Sequence, residues 1–100
     1  MIIVRNVFQL SFGKAREALA LAKQNVEMSR KAGLQQDRMR LLTDVVGRFY
    51  TLVLEITFSD LAEMERTQSQ MMGTPEWRAW YDKMVPLVES GYREIFRVVE

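Results

Sequence analysis

Apolar and polar residues alternate at the start of this chain, then recur at helical spacing, then alternate again, and the cycle repeats. Ile2 to Leu10 is dense in Ile, Val and Phe, with Arg5 and Gln9 interrupting it on one parity, which predicts a first strand. Ser11 to Lys14 is a short connection. From Ala15 to about Ala32, the residues Ala15, Ala18, Leu19, Ala22, Val26 and Ser29 mark one helical stripe. Most of them are small, so this helix can lie close to whatever it packs on. Gly33 suits the position just past the helix end, where a positive φ is needed.

Arg38 to Val46 predicts a second strand, and Arg48 to Phe58 a third, with Gly47 making a short hairpin break between them. Ser59 or Asp60 can cap a helix over Leu61 to Met72. Gly73 stops it. Thr74-Pro75-Glu76 restarts one, with a hydroxyl at the cap, Pro at the first helical position and an acid in the first turn. This last helix carries Trp77, Trp80, Tyr81, Met84 and Val88 on one stripe. Pro86 should tighten its final turn and Gly91 should end it, leaving Tyr92 to Val99 as a fourth strand.

The order is β-α-β-β-α-β with the second helix broken in two. No linker or repeat interrupts it, so residues 1–100 are expected to form one α+β, ferredoxin-like domain. Its four-stranded sheet should be antiparallel, with the first and third strands central and the helices on one face. Such a sheet leaves its other face bare. On the third strand, Tyr50, Leu52, Leu54 and Ile56 form the set assigned to the helices. Phe49, Thr51, Val53, Glu55 and Thr57 then fall on the open face. Ile3, Arg5, Val7 and Gln9 join them from the first strand, and Arg93, Ile95, Arg97 and Val99 from the fourth. That surface is too apolar to be simply wet and too charged for a dry core. Phe49, Val53, Val7 and Ile95 would make a large apolar patch, which a second copy packed sheet to sheet would hide.

Composition narrows the chemistry. The chain has no Cys and no His, which removes thiolate and imidazole catalysis, disulfides, and His or Cys ligation of zinc or haem. No metal or other cofactor is expected. The net charge is +1, from 14 basic and 13 acidic residues, so no nucleic-acid or membrane partner is implied. No apolar run is long enough to span a bilayer and no leader pattern opens the chain, so a cytoplasmic location is expected. The ten Arg outnumber the four Lys, and Arg suits fixed pairing with carboxylates.

Two readings of the charged set on the open face compete. In one, Glu55 and the arginines form a structural ion-pair network. In the other, Arg5, Gln9, Phe49, Thr51, Arg93, Arg97 and Trp80 bind an aromatic or anionic ligand, and Glu55 is a catalytic base with Tyr50 or Trp80 orienting a carbonyl. Trp77, Trp80 and Tyr81 can stack on a flat ligand or simply close the core edge. Met64, Met71 and Met72 can form an adaptable lid or fill core space. Arg38 and Arg40 suit the protection of an edge strand.

The stretch Val7-Phe8-Gln9-Leu10-Ser11-Phe12-Gly13-Lys14-Ala15 resembles the "strand, x-x-G-K, helix" opening of the dimeric α/β-barrel superfamily, which includes NIPSNAP-like and antibiotic-biosynthesis-monooxygenase-like domains. Phe49 to Glu55, followed by Phe58-Ser59-Asp60-Leu61-Ala62-Glu63, is similar to their third strand and its turn into a helix. The resemblance implies a homodimer with facing sheets and a cavity beside the sheet that binds a small organic molecule. It also implies two alternatives, a cofactor-independent monooxygenase or isomerase, and a purely structural dimerisation domain. The haem-binding branches use a His, which this chain lacks.

Overall fold

The computed structural model describes residues 1–100, the side chain of Gln36 excepted. The elements are β1 (Ile2–Leu10), α1 (Ala15–Lys31), a 3-10 turn (Gln36–Arg38), β2 (Met39–Thr43), β3 (Thr51–Phe58), α2 (Leu61–Met72), α3 (Pro75–Met84), a second 3-10 turn (Val85–Leu87) and β4 (Val88–Arg97). The strands form one antiparallel sheet in the order β2-β3-β1-β4, so the two most apolar strands are central, as expected.

The pairing of β1 with β3 runs from Ile2 opposite Phe58 to Gln9 opposite Thr51. Directly opposed residues share a face. Val4, Leu10, Leu52, Ile56 and Phe58 therefore point together toward the helices, and all are buried. On α1, Ala18 and Ala22 are buried against the sheet, and their short side chains bring the helix backbone close to it.

Three local devices position the helices. Asp60 caps α2 by accepting from the Glu63 N–H at 2.8 Å, and Glu63 reaches back to accept from the Ser59 N–H at 2.8 Å. This is a capping box shifted by one residue. Thr74 caps α3, accepting from the Trp77 N–H at 3.2 Å, with Pro75 at the first helical position. The Trp80 indole N–H donates to the Leu21 carbonyl at 2.6 Å, tying α3 to α1.

The second, third and fourth strands have other boundaries than the sequence reading gave them. The β2–β3 connection covers 44–50, so Val45, Val46, Arg48 and Phe49 are loop residues and not strand. Asp44 explains the early exit: its Oδ1 accepts from the Thr51 N–H at 3.0 Å and closes the loop with a side chain. Tyr50 takes a positive φ of 59° there, a conformation that turns it out of the strand. The fourth strand starts at Val88, four residues before the expected Tyr92, and it ends at Arg97. Gly91 does not end a helix. It sits within β4, where a Cβ would lie 3.1 Å from the Val7 carbonyl oxygen.

The earlier start carries a bulge. Leu10 pairs with Val88 but Gln9 pairs with Ser90, so Glu89 is the extra residue. Counting by twos from Val88, which packs on the core, would turn Tyr92 and Phe96 inward. The bulge reverses that parity. Tyr92, Glu94 and Phe96 share the open face with Val7, Arg5 and Ile3, whereas Arg93, Ile95 and Arg97 share the helix side with Asn6, Val4 and Ile2.

Two measurements check these devices. The Ser59 N–H, and after it the Arg38 guanidinium at 2.9 Å, hold the Glu63 carboxyl below the ordinary glutamate range. The unfolded chain therefore binds this proton at a higher pH than the folded chain does. Glu63 contributes stability above about pH 4.3, and that contribution is lost as pH falls through the lower folded value. Glu63→Gln should flatten the rise of stability with pH between about pH 3 and 5, as read by urea unfolding. Trp80→Phe should cost about 1–2 kcal/mol in the same assay, through the lost hydrogen bond and lost packing.

Candidate functional site

The buried core is in two pieces. One holds Val4, Leu34, Met39, Ile56, Phe58 and Met64, and the other Leu10, Ala18, Ala22, Leu52, Met84 and Leu87. Along β1 the first piece owns Val4 and the second Leu10, with Asn6 and Phe8 between. Along β3 the same gap falls at Leu54. A cavity of about 840 Å³ occupies this level, between the sheet and the helices. Its floor is Asn6, Phe8 and Leu54. Asn25 and Ser29 line it from α1, Thr67 and Met71 from α2, and Trp77, Trp80 and Tyr81 from α3. It opens toward β4, which no helix covers: the helix-side residues Gly91, Arg93 and Ile95 are exposed.

Polar side chains line this cavity beside the apolar ones, Gln68, Arg78 and Glu89 among them. Arg93 donates from Nε to Asn6 Oδ1 at 2.9 Å, joining neighbouring strands on the helix side. That bond orients the Asn6 amide and leaves its Nδ2 hydrogens for another acceptor. On the opposite wall Asn25 is 4% exposed and its Oδ1 has no hydrogen-bond partner. Ser29, one turn on, spends its hydroxyl proton on the Asn25 backbone carbonyl at 2.9 Å. The aromatic wall is ordered by stacking. The Trp77 and Tyr81 rings lie 5.0 Å apart and within 19° of parallel.

The open face of the sheet has a different grammar. Two of its cross-strand rows are each of one kind. Arg40, Glu55, Arg5 and Glu94 make a row of alternating charge across β2, β3, β1 and β4. Leu42, Val53, Val7 and Tyr92 make an apolar row beside it. Thr57, Ile3 and Phe96 flank the charges on the other side. Glu55 lies between two guanidiniums: both Arg40 Nε (3.0 Å) and Arg40 Nη2 meet its Oε1, and Arg5 Nε stands 3.6 Å from Oε2. Arg5 Nε is buried with no hydrogen-bond acceptor, and Glu94 makes no ion pair among the described residues.

The residues singled out from the sequence are thus divided between two surfaces. Arg5, Glu55, Gln9 and Thr51 are on the open face. Gln9 Nε2 donates to the Phe49 carbonyl at 2.6 Å, and the Thr51 hydroxyl donates to the Arg48 carbonyl at 2.9 Å, so both fasten the loop 44–50. Phe49 is on that loop, 75% exposed, beside a smaller recess of about 400 Å³. Trp80 and Arg93 line the large cavity on the other side of the sheet. Arg97 shares the helix side with Ile2 but does not line the cavity. The expectation that Arg93 and Arg97 stand with Glu55 is corrected by the bulge at Glu89. Asn6 and Asn25 were missed. The signal for Asn25 was an amide three residues after Ala22, on the small-residue face of α1. Among the described residues no three acidic side chains gather to hold a metal ion.

No family model and no curated protein matches the sequence. Solved structures do match in three dimensions. A NIPSNAP-domain protein from Burkholderia xenovorans superposes with a TM-score of 0.83 at 16% identity, covering 99% of this chain and 95% of that one. An antibiotic-biosynthesis-monooxygenase-type protein from Nitrosomonas europaea gives 0.79 at 14% identity over the whole of both chains. A cofactor-independent oxygenase from Streptomyces nogalater gives 0.76 at 14% identity, over 99% and 93%. The β-α-β-β-α-β sheet with its broken second helix is the fold of the NIPSNAP and antibiotic-biosynthesis-monooxygenase proteins.

Proposed function

We propose that this chain binds a small organic molecule in the cavity between sheet and helices, and that it does so as a homodimer joined through the open sheet face. The cavity carries the first part. Its volume suits a drug-sized ligand, its walls are mainly aromatic, aliphatic and methionine side chains, and polar groups enter it from facing walls. Turnover by Glu55 is the weaker reading. The sheet stands between Glu55 and the cavity, and two arginines already occupy its oxygens.

The dimer rests on the rows of the open face. Tyr92 and Phe96 are 61% and 48% exposed there, side by side with Val7 and Ile3. A two-fold axis through the face would set the charge row of one copy against its twin in the reverse direction, Arg against Glu. That contact would also offer partners to Glu94.

Each half has its own test. Thermal unfolding with a panel of aromatic acids, quinones and flavins should find compounds that raise the Tm by about 5–10 °C at roughly ten times their Kd. Thr67→Trp, which fills the cavity from α2, should erase the shift. No shift from any compound, or an undiminished one in the variant, sinks the binding reading. Native mass measurement at micromolar concentration should give twice the chain mass. Tyr92→Glu combined with Phe96→Glu should return it to one chain with the circular-dichroism spectrum unchanged. A wild-type monomer would dispose of the dimer.

A further inference from the structure

Apolar side chains that the fold does not use are gathered at one end of the sheet. β1 ends there at Leu10 and β2 at Thr43, and β3 begins there at Thr51, so the turn 11–14 and the loop 44–50 are neighbours. The Leu10 N–H donates to the Tyr50 carbonyl at 2.8 Å, and the Phe12 ring meets the Tyr50 ring edge-on at 4.9 Å. Around this post Val45 and Val46 are 95% exposed, Phe12 is 81% exposed and Phe49 little less. Gly47 takes a φ of 142°, which lets the loop reverse directly after the two valines. Side chains this exposed project as tips, whereas a groove or a flat patch would shade its own residues. The charge beside them is cationic. Arg48 in the loop and Arg16 in the first turn of α1 are exposed, and neither makes an ion pair among the described residues. Of the acids nearby, Asp44 turns back to the Thr51 N–H and Glu17 pairs with Lys14 at 3.7 Å. The net charge of +1 conceals this cluster because it averages over the whole chain.

We propose that this end of the sheet docks on an anionic lipid bilayer. Phe12, Val45, Val46 and Phe49 enter the headgroup boundary, and Arg16 and Arg48 meet the lipid phosphates. Exposed apolar surface rimmed by charge marks a contact site, and the shape and sign of this one favour lipid. Projecting tips need a matching pocket in a folded partner, but a fluid surface closes around them without one. Two free guanidiniums are drawn to anionic headgroups, each contributing about fivefold to partition near the surface. The contact is peripheral: no helix is long and apolar enough to cross a membrane. It uses neither the cavity nor the open sheet face, so it stands or falls apart from them.

Vesicle flotation tests this with two compositions, phosphatidylcholine alone and phosphatidylcholine with about 30% phosphatidylglycerol. The full chain should float with the anionic vesicles at least about tenfold better than with the neutral ones, and about 0.5 M salt should remove most of that difference. Arg16→Gln with Arg48→Gln should weaken anionic binding about 25-fold. Val45→Asp with Val46→Asp should abolish it while leaving the circular-dichroism spectrum and Tm unchanged, since both positions lie outside the core. The absence of cysteine permits a second readout. A bimane dye on Val46→Cys should shift its emission to the blue when anionic vesicles are added, and the same dye on Glu65→Cys, on α2, should not. No flotation, or equal flotation with both vesicles, overturns the proposal, as does an equal blue shift from the two dyes. So does a fall from dimer to monomer mass in the Val45→Asp, Val46→Asp chain, which would make these tips a contact between copies.

Discussion

The register of β1 on β3 governs what this molecule can be. Val4 opposite Ile56 and Arg5 opposite Glu55 are adjacent rungs of one ladder, and the pleat sends them to opposite sides. A slip of one residue would put Arg5 and Glu55 into the core and Val4 and Phe58 into water. Either change alone would cost several kcal/mol, since Val4 is fully buried and a charge in its place would have no partner. The Arg40–Glu55–Arg5 contacts and the apolar core therefore enforce the same register from opposite faces.

The central strands, both helix caps and the helix break were legible because each has a local cause. Asp60, Thr74 and Pro75 act within one turn of where they stand. What was not legible depends on pairing across the sheet. A bulge inserts one residue without changing the composition of the strand, so nothing in Val88 to Arg97 marks Glu89 as the extra one. The apolar positions Ile95 and Val99 and the aromatic positions Tyr92 and Phe96 fit either parity. Only the partner decides: Tyr92 beside Val7 and Phe96 beside Ile3 bring large apolar surfaces together. The same logic hid the length of the loop 44–50, whose end is set by a bond from Asp44 to Thr51 across it.

The site was half legible for a related reason. Trp77, Trp80 and Tyr81 declare themselves by spacing, and they do line the cavity. The cavity itself is an interruption of packing, and interruption has no residue type. Near Leu10 and Leu52, α1 packs on the sheet through the alanines Ala18 and Ala22. Further along, Asn25 and Ser29 take the place of apolar contacts. Above Asn6 and Leu54 the core is then left open between its two pieces.

Arg5 and Asn6 are neighbours on β1, one on each side, and their cross-strand partners on β4 are neighbours too: Glu94 on the open face, Arg93 on the cavity side. The bulge at Glu89 decides which of those two meets which. Without it Arg93 would face Arg5 across the open side, a repulsive pair, and Tyr92 would take the place of Arg93 opposite Asn6, removing that cation from the cavity side. One inserted residue at the start of the edge strand thus sets the charge of both surfaces. The proposed assembly face and the proposed ligand entrance are two consequences of a single register, and neither can be re-signed by local substitution at β4 without addressing the other.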